Sequence, residues 1–167
     1  NGLNRNINLD ETIHQGVEIE VAYDLNDRFS FFANYAYHQA EFEKGVFTGK
    51  DLVLVPNHHL SAGLDFTLPF DLHLAPECVH FGSFYLGNDY DNSSEKLESY
   101  TVVNLFLRYN GTWRKMKSSA FLGIKNLFDE DYETIGFEND PDDGAAPANT
   151  FYPTPGIEFT GGLSLAF

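Results

Sequence analysis

The residues of this chain able to hold a metal or move a proton are a few histidines, two acidic stretches and one thiol. His58 and His59 stand together in "VPNHHLSAGLDF", and imidazole is the commonest ligand for Zn²⁺, Cu²⁺ and Ni²⁺. They open an alternating run, however, and adjacent strand residues point to opposite faces, so the pair cannot chelate jointly there. His73 and His80 lie an odd number of residues apart and face oppositely for the same reason. "FENDPDDG" (137–144) collects Glu138, Asp140, Asp142 and Asp143 in one loop. Oxygen-rich loops can bind Ca²⁺, but this spacing is not that of an EF-hand, and a solvated acidic loop is the plainer reading. "YDNSSE" (90–95) is a similar turn-rich stretch. Cys78 is the only cysteine, which removes any internal disulfide, and it reads as a small apolar residue packed in a strand. No catalytic triad, phosphate loop or His-Glu helix motif is visible. The chemistry-bearing residues therefore predict no enzyme, no metal site and no cofactor.

What positions these residues is a sequence with period two almost throughout. "GVEIEVAY" sets Val17, Ile19, Val21 and Tyr23 against Glu18, Glu20 and Ala22. "FSFFANYAY" sets Phe29, Phe31, Ala33, Tyr35 and Tyr37 against Ser30, Asn34 and His38, with Phe32 as an exception. "LSAGLDFTL", "YTVVNLFLRY", "SAFLGIKNLF" and the closing "IEFTGGLSLAF" alternate in the same way, whereas 72–86 is blurred and Pro76 weakens it as a strand. The count is about seven strands and no helix. No apolar run approaches the roughly 18 residues of a membrane helix, which does not bear on a barrel whose strands hide hydrophobicity in alternation. A formal charge of −15 excludes a phosphate-backbone partner, so no nucleic acid is expected.

Tight turns at 25–27, 69–71 and 110–116 alternate with long polar loops at 42–57, 87–98 and 134–154. In an up-and-down meander this gathers all short turns at one end and all long loops at the other, the asymmetry of outer-membrane barrels. Alternation alone also suits a soluble sandwich. Three features favour lipid. The strands run about ten residues, enough at about 3.3 Å each, tilted near 45°, to cross a roughly 25 Å apolar band. The apolar faces carry no charge, while Glu18, Glu20, Asp65, Arg108, Lys125 and Glu158 stand opposite. Aromatics gather toward strand ends at Tyr23, Tyr35, Tyr37, Tyr109, Phe128, Phe159 and Phe167, as interfacial girdles do. "WRKMK" (113–117) is a basic turn at the short-turn end, where Arg114, Lys115 and Lys117 can meet lipid phosphates beside Trp113, or form an ordinary exposed turn.

"GVEIEV", "VPNHHLSAGLDF", "SYTVVNLFLRY", "GIKNLFDEDYE" and "YPTPGIEFTGGLSLAF", in that order, resemble the C-terminal part of the barrel of TonB-dependent outer-membrane receptors, from about Gly16 to Phe167. "NLFDEDYE", with Asn126, Leu127, Phe128, Asp129 and Tyr132, is the most specific piece. Ile157 departs from the Arg that this family often carries after its last Pro-Gly. Physically, Leu127 and Phe128 close the apolar band, the acids mark the move into water, and Tyr132 can sit at the interface with its hydroxyl wet.

The resemblance implies an all-β, antiparallel, up-and-down transmembrane barrel segment: residues 1–167 as about seven strands of a 22-stranded barrel, with the plug domain and earlier strands outside this chain. It implies a transporter of the Gram-negative outer membrane that imports a scarce nutrient such as a siderophore, cobalamin or saccharide, energised through TonB by way of the plug. The expected partners are lipid and lipopolysaccharide, the barrel assembly machinery, and a small molecule or metal chelate. The C-terminus would be periplasmic and the long loops extracellular. Loop aromatics Tyr90, Phe137, Phe151 and Tyr152 are substrate-contact candidates by position alone. Ile157, Phe159, Leu163, Leu165 and Phe167 match the alternating C-terminal signal read during barrel assembly, with Gly161 the one gap. A small stand-alone barrel with a structural or adhesive role and a soluble carbohydrate-binding sandwich are the alternatives.

Overall fold

A computed structural model describes residues 11–113, 116–139 and 149–166. Phe167, Arg114, Lys115, Asp140, Asp142 and Asp143 lie outside them, as does the side chain of Trp113. The β-branched and aromatic residues that alternate along the sequence form long strands: β1 (Glu11–Asn26), β2 (Phe29–Lys44), β3 (His58–Leu68), β4 (Leu72–Phe81), β5 (Tyr100–Trp113), β6 (Met116–Lys125) and β9 (Glu158–Ala166). They make one antiparallel sheet in the order β1-β2-β3-β4-β5-β6-β9. The stretch expected to be one long loop before the last strand contains a second, two-stranded sheet of β7 (Glu133–Phe137) and β8 (Thr150–Pro153). β4 tolerates Pro76 because the β3–β4 pairing skips from Gly63–Glu77 to Phe66–Leu74, so the missing N–H falls in a gap of the ladder.

One register joins the apolar positions of every strand. A single row reads Phe29, Phe66, Leu74, Leu107, Leu122, Gly161, and another reads Val21, Ala33, Ala62, Cys78, Val103. Among the described residues no layer covers these side chains: Val17 is 58%, Ile19 53% and Leu163 72% exposed. The face changes character at one level. Above Tyr37 it carries Gln15 hydrogen-bonded to Gln39 at 3.1 Å, then Ile13 opposite Glu41. At that boundary the Tyr35 hydroxyl lies 2.9 Å from His58 Nδ1, and Tyr37 packs on the same imidazole. An apolar band thus ends in amphipathic rings, as expected for a lipid boundary.

The other face is mixed. Asp65 meets His73 at 3.6 Å, and the Asn104 amide donates to Glu77 Oε2 at 3.1 Å. Phe32, the exception to the alternation, lies on this face across Gly63, where any Cβ would crowd its ring; Phe121 covers Gly162 in the same manner. Each glycine gives an aromatic ring a flat seat, so large apolar side chains lie along the mixed face instead of projecting from it.

At one end the connections are tight. The Asn26 side chain accepts from the Arg28 amide at 2.9 Å in the first turn, and a 3₁₀ turn over Pro69–Asp71 makes the second. At the other end the long connections are knitted together: Leu54 donates its N–H to Tyr85 O, Gly87 to Gly136 O, and Glu138 to Gly87 O. Phe84, Leu86 and Leu97 form a small core there, with Leu54 packed on it. Asp89 is fully buried beside them, accepting from the amides of Ser93 at 2.8 Å and Ser94 at 3.3 Å. Burial pushes its carboxyl above the usual range, outweighing those amides, and Glu138 adds to the rise.

A raised folded pKa means the native loop binds a proton that the open loop has already lost. The extra protection of the loop is therefore fully present at and below the ordinary carboxylate pKa and is lost as pH climbs from there through the raised value. Hydrogen-exchange protection factors at Ser93 and Ser94 in the full-length protein should show that trend, and Asp89→Ala should lower them by about 1–3 kcal/mol of local stability.

Candidate functional site

The register places three rings side by side on the mixed face at the long-loop end. His59 is paired with Phe81, and Phe81 with Tyr100. Their centroids are 4.3 and 5.3 Å apart, and Tyr132 from the following loop stacks on Tyr100 at 4.3 Å. The result is a ladder of four rings across three strands and a loop, stacked at both ends and tilted by 31° between Phe81 and Tyr100. At its Tyr100–Tyr132 end it opens on a cavity of about 350 Å³. Five acidic residues, Glu95, Glu98, Glu130, Asp131 and Glu133, and one cation, Lys96, line it, and Phe151 adds another ring. Such a surface offers flat apolar area with a polar rim, suited to a rigid, partly aromatic or cationic small molecule.

Tyr132 reaches the ladder through a built turn, not a generic strand end. Asn126 is 4% exposed and left-handed at φ 50°; its Oδ1 accepts from the Glu130 amide at 2.9 Å and its Nδ2 donates to the Glu130 carbonyl at 2.8 Å. Its own N–H donates to Asn104 Oδ1 at 3.2 Å, and Leu127 N–H to the Val103 carbonyl at 2.8 Å, tying the turn to β5. Asp129 Oδ1 accepts from the Ile157 amide at 3.0 Å, beside Gly156, where a Cβ would overlap that carboxylate. Thr154 Oγ1 donates to the Tyr132 carbonyl at 2.7 Å. The sequence motif and the distant Pro-Gly thus form one clasp that launches β9. Phe128 is 74% exposed. The Tyr132 ring stacks on Tyr100, on the mixed face.

The four loop aromatics do not converge. Tyr90 packs on Phe42 and Phe47. Phe137 covers Gly87 and meets Tyr152 edge-on at 6.3 Å, whereas Phe151 alone reaches the cavity. Ile157, Phe159, Leu163 and Leu165 keep one face on β9 and its approach, with Leu163 opposite Ala120 and Phe159 opposite Ile124. His58 and His59 face oppositely, the first to Tyr35 and Tyr37 and the second to Phe81. Among the described residues no group of three or more His, Cys, Asp or Glu is placed to hold a metal. The ladder escaped sequence reasoning because it requires the register of three strands; its one signal was aromatic character at inward positions near the same strand ends.

Residues 1–127 match the family model for the TonB-dependent receptor-like β-barrel. The chain belongs to the TonB-dependent receptors. A ferrioxamine receptor of Yersinia enterocolitica is 27% identical over 125 residues, 71% of this chain and 17% of that protein. An uncharacterized TonB-dependent receptor of Haemophilus influenzae is 28% identical over 126 residues, 71% of this chain and 36% of that protein. Among solved structures, the ferric yersiniabactin uptake receptor FyuA of Yersinia pestis superimposes with a TM-score of 0.72 at 19% identity, over 93% of this chain and 23% of the receptor. The siderophore receptor PiuA of Acinetobacter baumannii does so with a TM-score of 0.72 at 19% identity, over 93% and 22%. The chain spans well under half of these relatives, and its sheet is a segment of a larger barrel. TonB-dependent receptors are outer-membrane transport receptors of Gram-negative bacteria, so the soluble sandwich and the stand-alone barrel give way.

Asn126→Ala should strip the Glu130 amide and carbonyl of their partners and lower the melting temperature of the full-length receptor, at a cost of about 1–3 kcal/mol. Glu130→Gln, which leaves those backbone bonds intact, should leave the melting temperature unchanged.

Proposed function

We propose that this chain forms part of the wall of a receptor that imports a metal chelate of the siderophore class, energised through TonB acting on a plug domain outside these residues. The observation that carries this reading is the division of the sheet: an uncharged apolar face joined across seven strands, backed by a face bearing a stacked aromatic ladder. Hydrocarbon tolerates the first, and a lined lumen uses the second. The named relatives that bind ferrioxamine and ferric yersiniabactin agree with it. In this reading the long-loop end is extracellular and meets lipopolysaccharide, and the C-terminus is periplasmic. The ladder of His59, Phe81, Tyr100 and Tyr132 lies at the lumen mouth.

The loop layer would act with the ladder. Phe151 borders the cavity beside Tyr132, Phe137 and Tyr152 sit on the same β7–β8 hairpin as Phe151, and Tyr90 lies on the adjoining loop. A chelate entering from outside would meet these rings first and then slide onto the ladder. The carboxylate rim would favour a ligand with a free ammonium or another cationic arm. Delivery through the barrel would then depend on the plug and TonB. Along β9 and its approach, Ile157, Phe159, Leu163, Leu165 and Phe167 would serve as the signal for the assembly machinery.

Two measurements test this reading in the full-length receptor. Tyr100→Ala and Phe81→Ala should each weaken binding of the transported chelate about 2- to 10-fold, the worth of an aromatic stacking contact, without lowering surface levels; unchanged binding and uptake would remove the ladder from the substrate path. Deleting Phe167 should reduce the folded receptor in the outer membrane, and normal surface levels would exclude the assembly role.

A further inference from the structure

The structure assigns a second site, separate from the ladder and its cavity: a two-histidine chelate for a borderline divalent metal ion, formed by His14 of β1 and His38 of β2. Register puts His14 opposite Ala40 and His38 opposite Gly16, so the two imidazoles are diagonal neighbours on the mixed face. His14 Nδ1 and His38 Nε2 are 3.2 Å apart, with ring centroids at 5.3 Å. Zinc–nitrogen bonds of about 2.0–2.1 Å, meeting at angles between square and tetrahedral, put two ligating nitrogens about 2.9–3.4 Å apart. The observed separation lies within that bite.

The pair is held in place by backbone, not by its own contact. His38 donates its N–H to the Asn57 carbonyl at 2.9 Å, and the Asn57 side chain donates back to the His38 carbonyl at 3.0 Å. Gly16 lets the two strands approach closely, since a Cβ there would overlap the Tyr37 carbonyl. The cross-strand partners of the two rings are small, Ala40 opposite His14 and Gly16 opposite His38, and Glu18 is the next charged group along that face of β1. His14 is exposed, so an ion can reach the pair, and Thr12 Oγ1 lies 3.5 Å from its Nε2. Two protein ligands leave the remaining positions to water, so the site takes a metal that accepts imidazole readily and exchanges freely. Cu²⁺, Ni²⁺ and Zn²⁺ fit; Ca²⁺ and Mg²⁺, which require oxygen, do not.

The test uses the full-length receptor in detergent, titrated calorimetrically with Cu²⁺ and with Ni²⁺, alongside His14→Gln, His38→Gln and the double variant. Binding of one ion that each single change weakens about tenfold or more supports the site, as does loss of two-nitrogen splitting in the Cu²⁺ electron paramagnetic resonance spectrum of either variant. Identical titrations of wild type and double variant, or a Cu²⁺ spectrum unaltered by both substitutions, would overturn it and leave the contact as a hydrogen bond between imidazoles. Equal melting temperatures of wild type and variants certify that the comparison is between folded proteins. Neither residue belongs to the ladder, so chelate transport can fail or succeed without deciding this result.

Discussion

Backbone hydrogen bonds across six antiparallel seams determine which side chains of this sheet can meet hydrocarbon and which can meet water. In lipid an unpaired backbone N–H or carbonyl is costly, so the strands sit side by side, and the β3–β4 ladder lapses only around Pro76, which has no N–H to pair. Once Phe29 is paired with Phe66, and Phe66 with Leu74, the face of every residue on three strands follows. A slip of one residue at any seam would turn Asp65, Glu77 or Arg108 toward lipid, and a cation at mid-depth costs about 2–4 kcal/mol. The sheet order leaves β1 and β9 at its edges, and the same rule requires that each be met by a further strand in the membrane.

The loop layer and the clasp follow from that frame. Because successive strands run in opposite directions, all long connections leave from the same end and can pack on one another, which gives Phe84, Leu86, Leu97 and the buried Asp89 a common interior. Asn126 and Asp129 use the same geometry, joining the end of β6 to β5 and to the start of β9. The ladder arises where the register of β3, β4 and β5 delivers His59, Phe81 and Tyr100 to one level and the clasp delivers Tyr132 beside them.

Much of this was legible in the sequence, and the parts that were not share a cause. Period two in 16–23, 60–68 and, with Gly161 its one gap, 158–166 indicates strand and face without any knowledge of neighbours. The β7–β8 hairpin was hidden because strands of five and four residues are too short for alternation to stand out from a polar loop. Phe32 broke the pattern because its reason, the bare surface of Gly63, lies on another strand. Asp89 was indistinguishable from the solvated acids around it, since only the loop packing turns it inward. The His14–His38 pair and the ladder are likewise products of register between strands. Local periodicity tells where a side chain points, but not which side chain from another strand stands beside it.

The central claim is that the apolar face meets lipid and the mixed face lines water. It is tested most directly by spin labels at two adjacent positions of β5 in the full-length receptor reconstituted in bilayers, with Cys78 replaced by alanine. A label at Leu105→Cys should collide chiefly with lipid-soluble oxygen, and one at Asn104→Cys chiefly with a water-soluble nickel chelate. The opposite ranking, or equal access of the nickel chelate to both positions, would contradict the account.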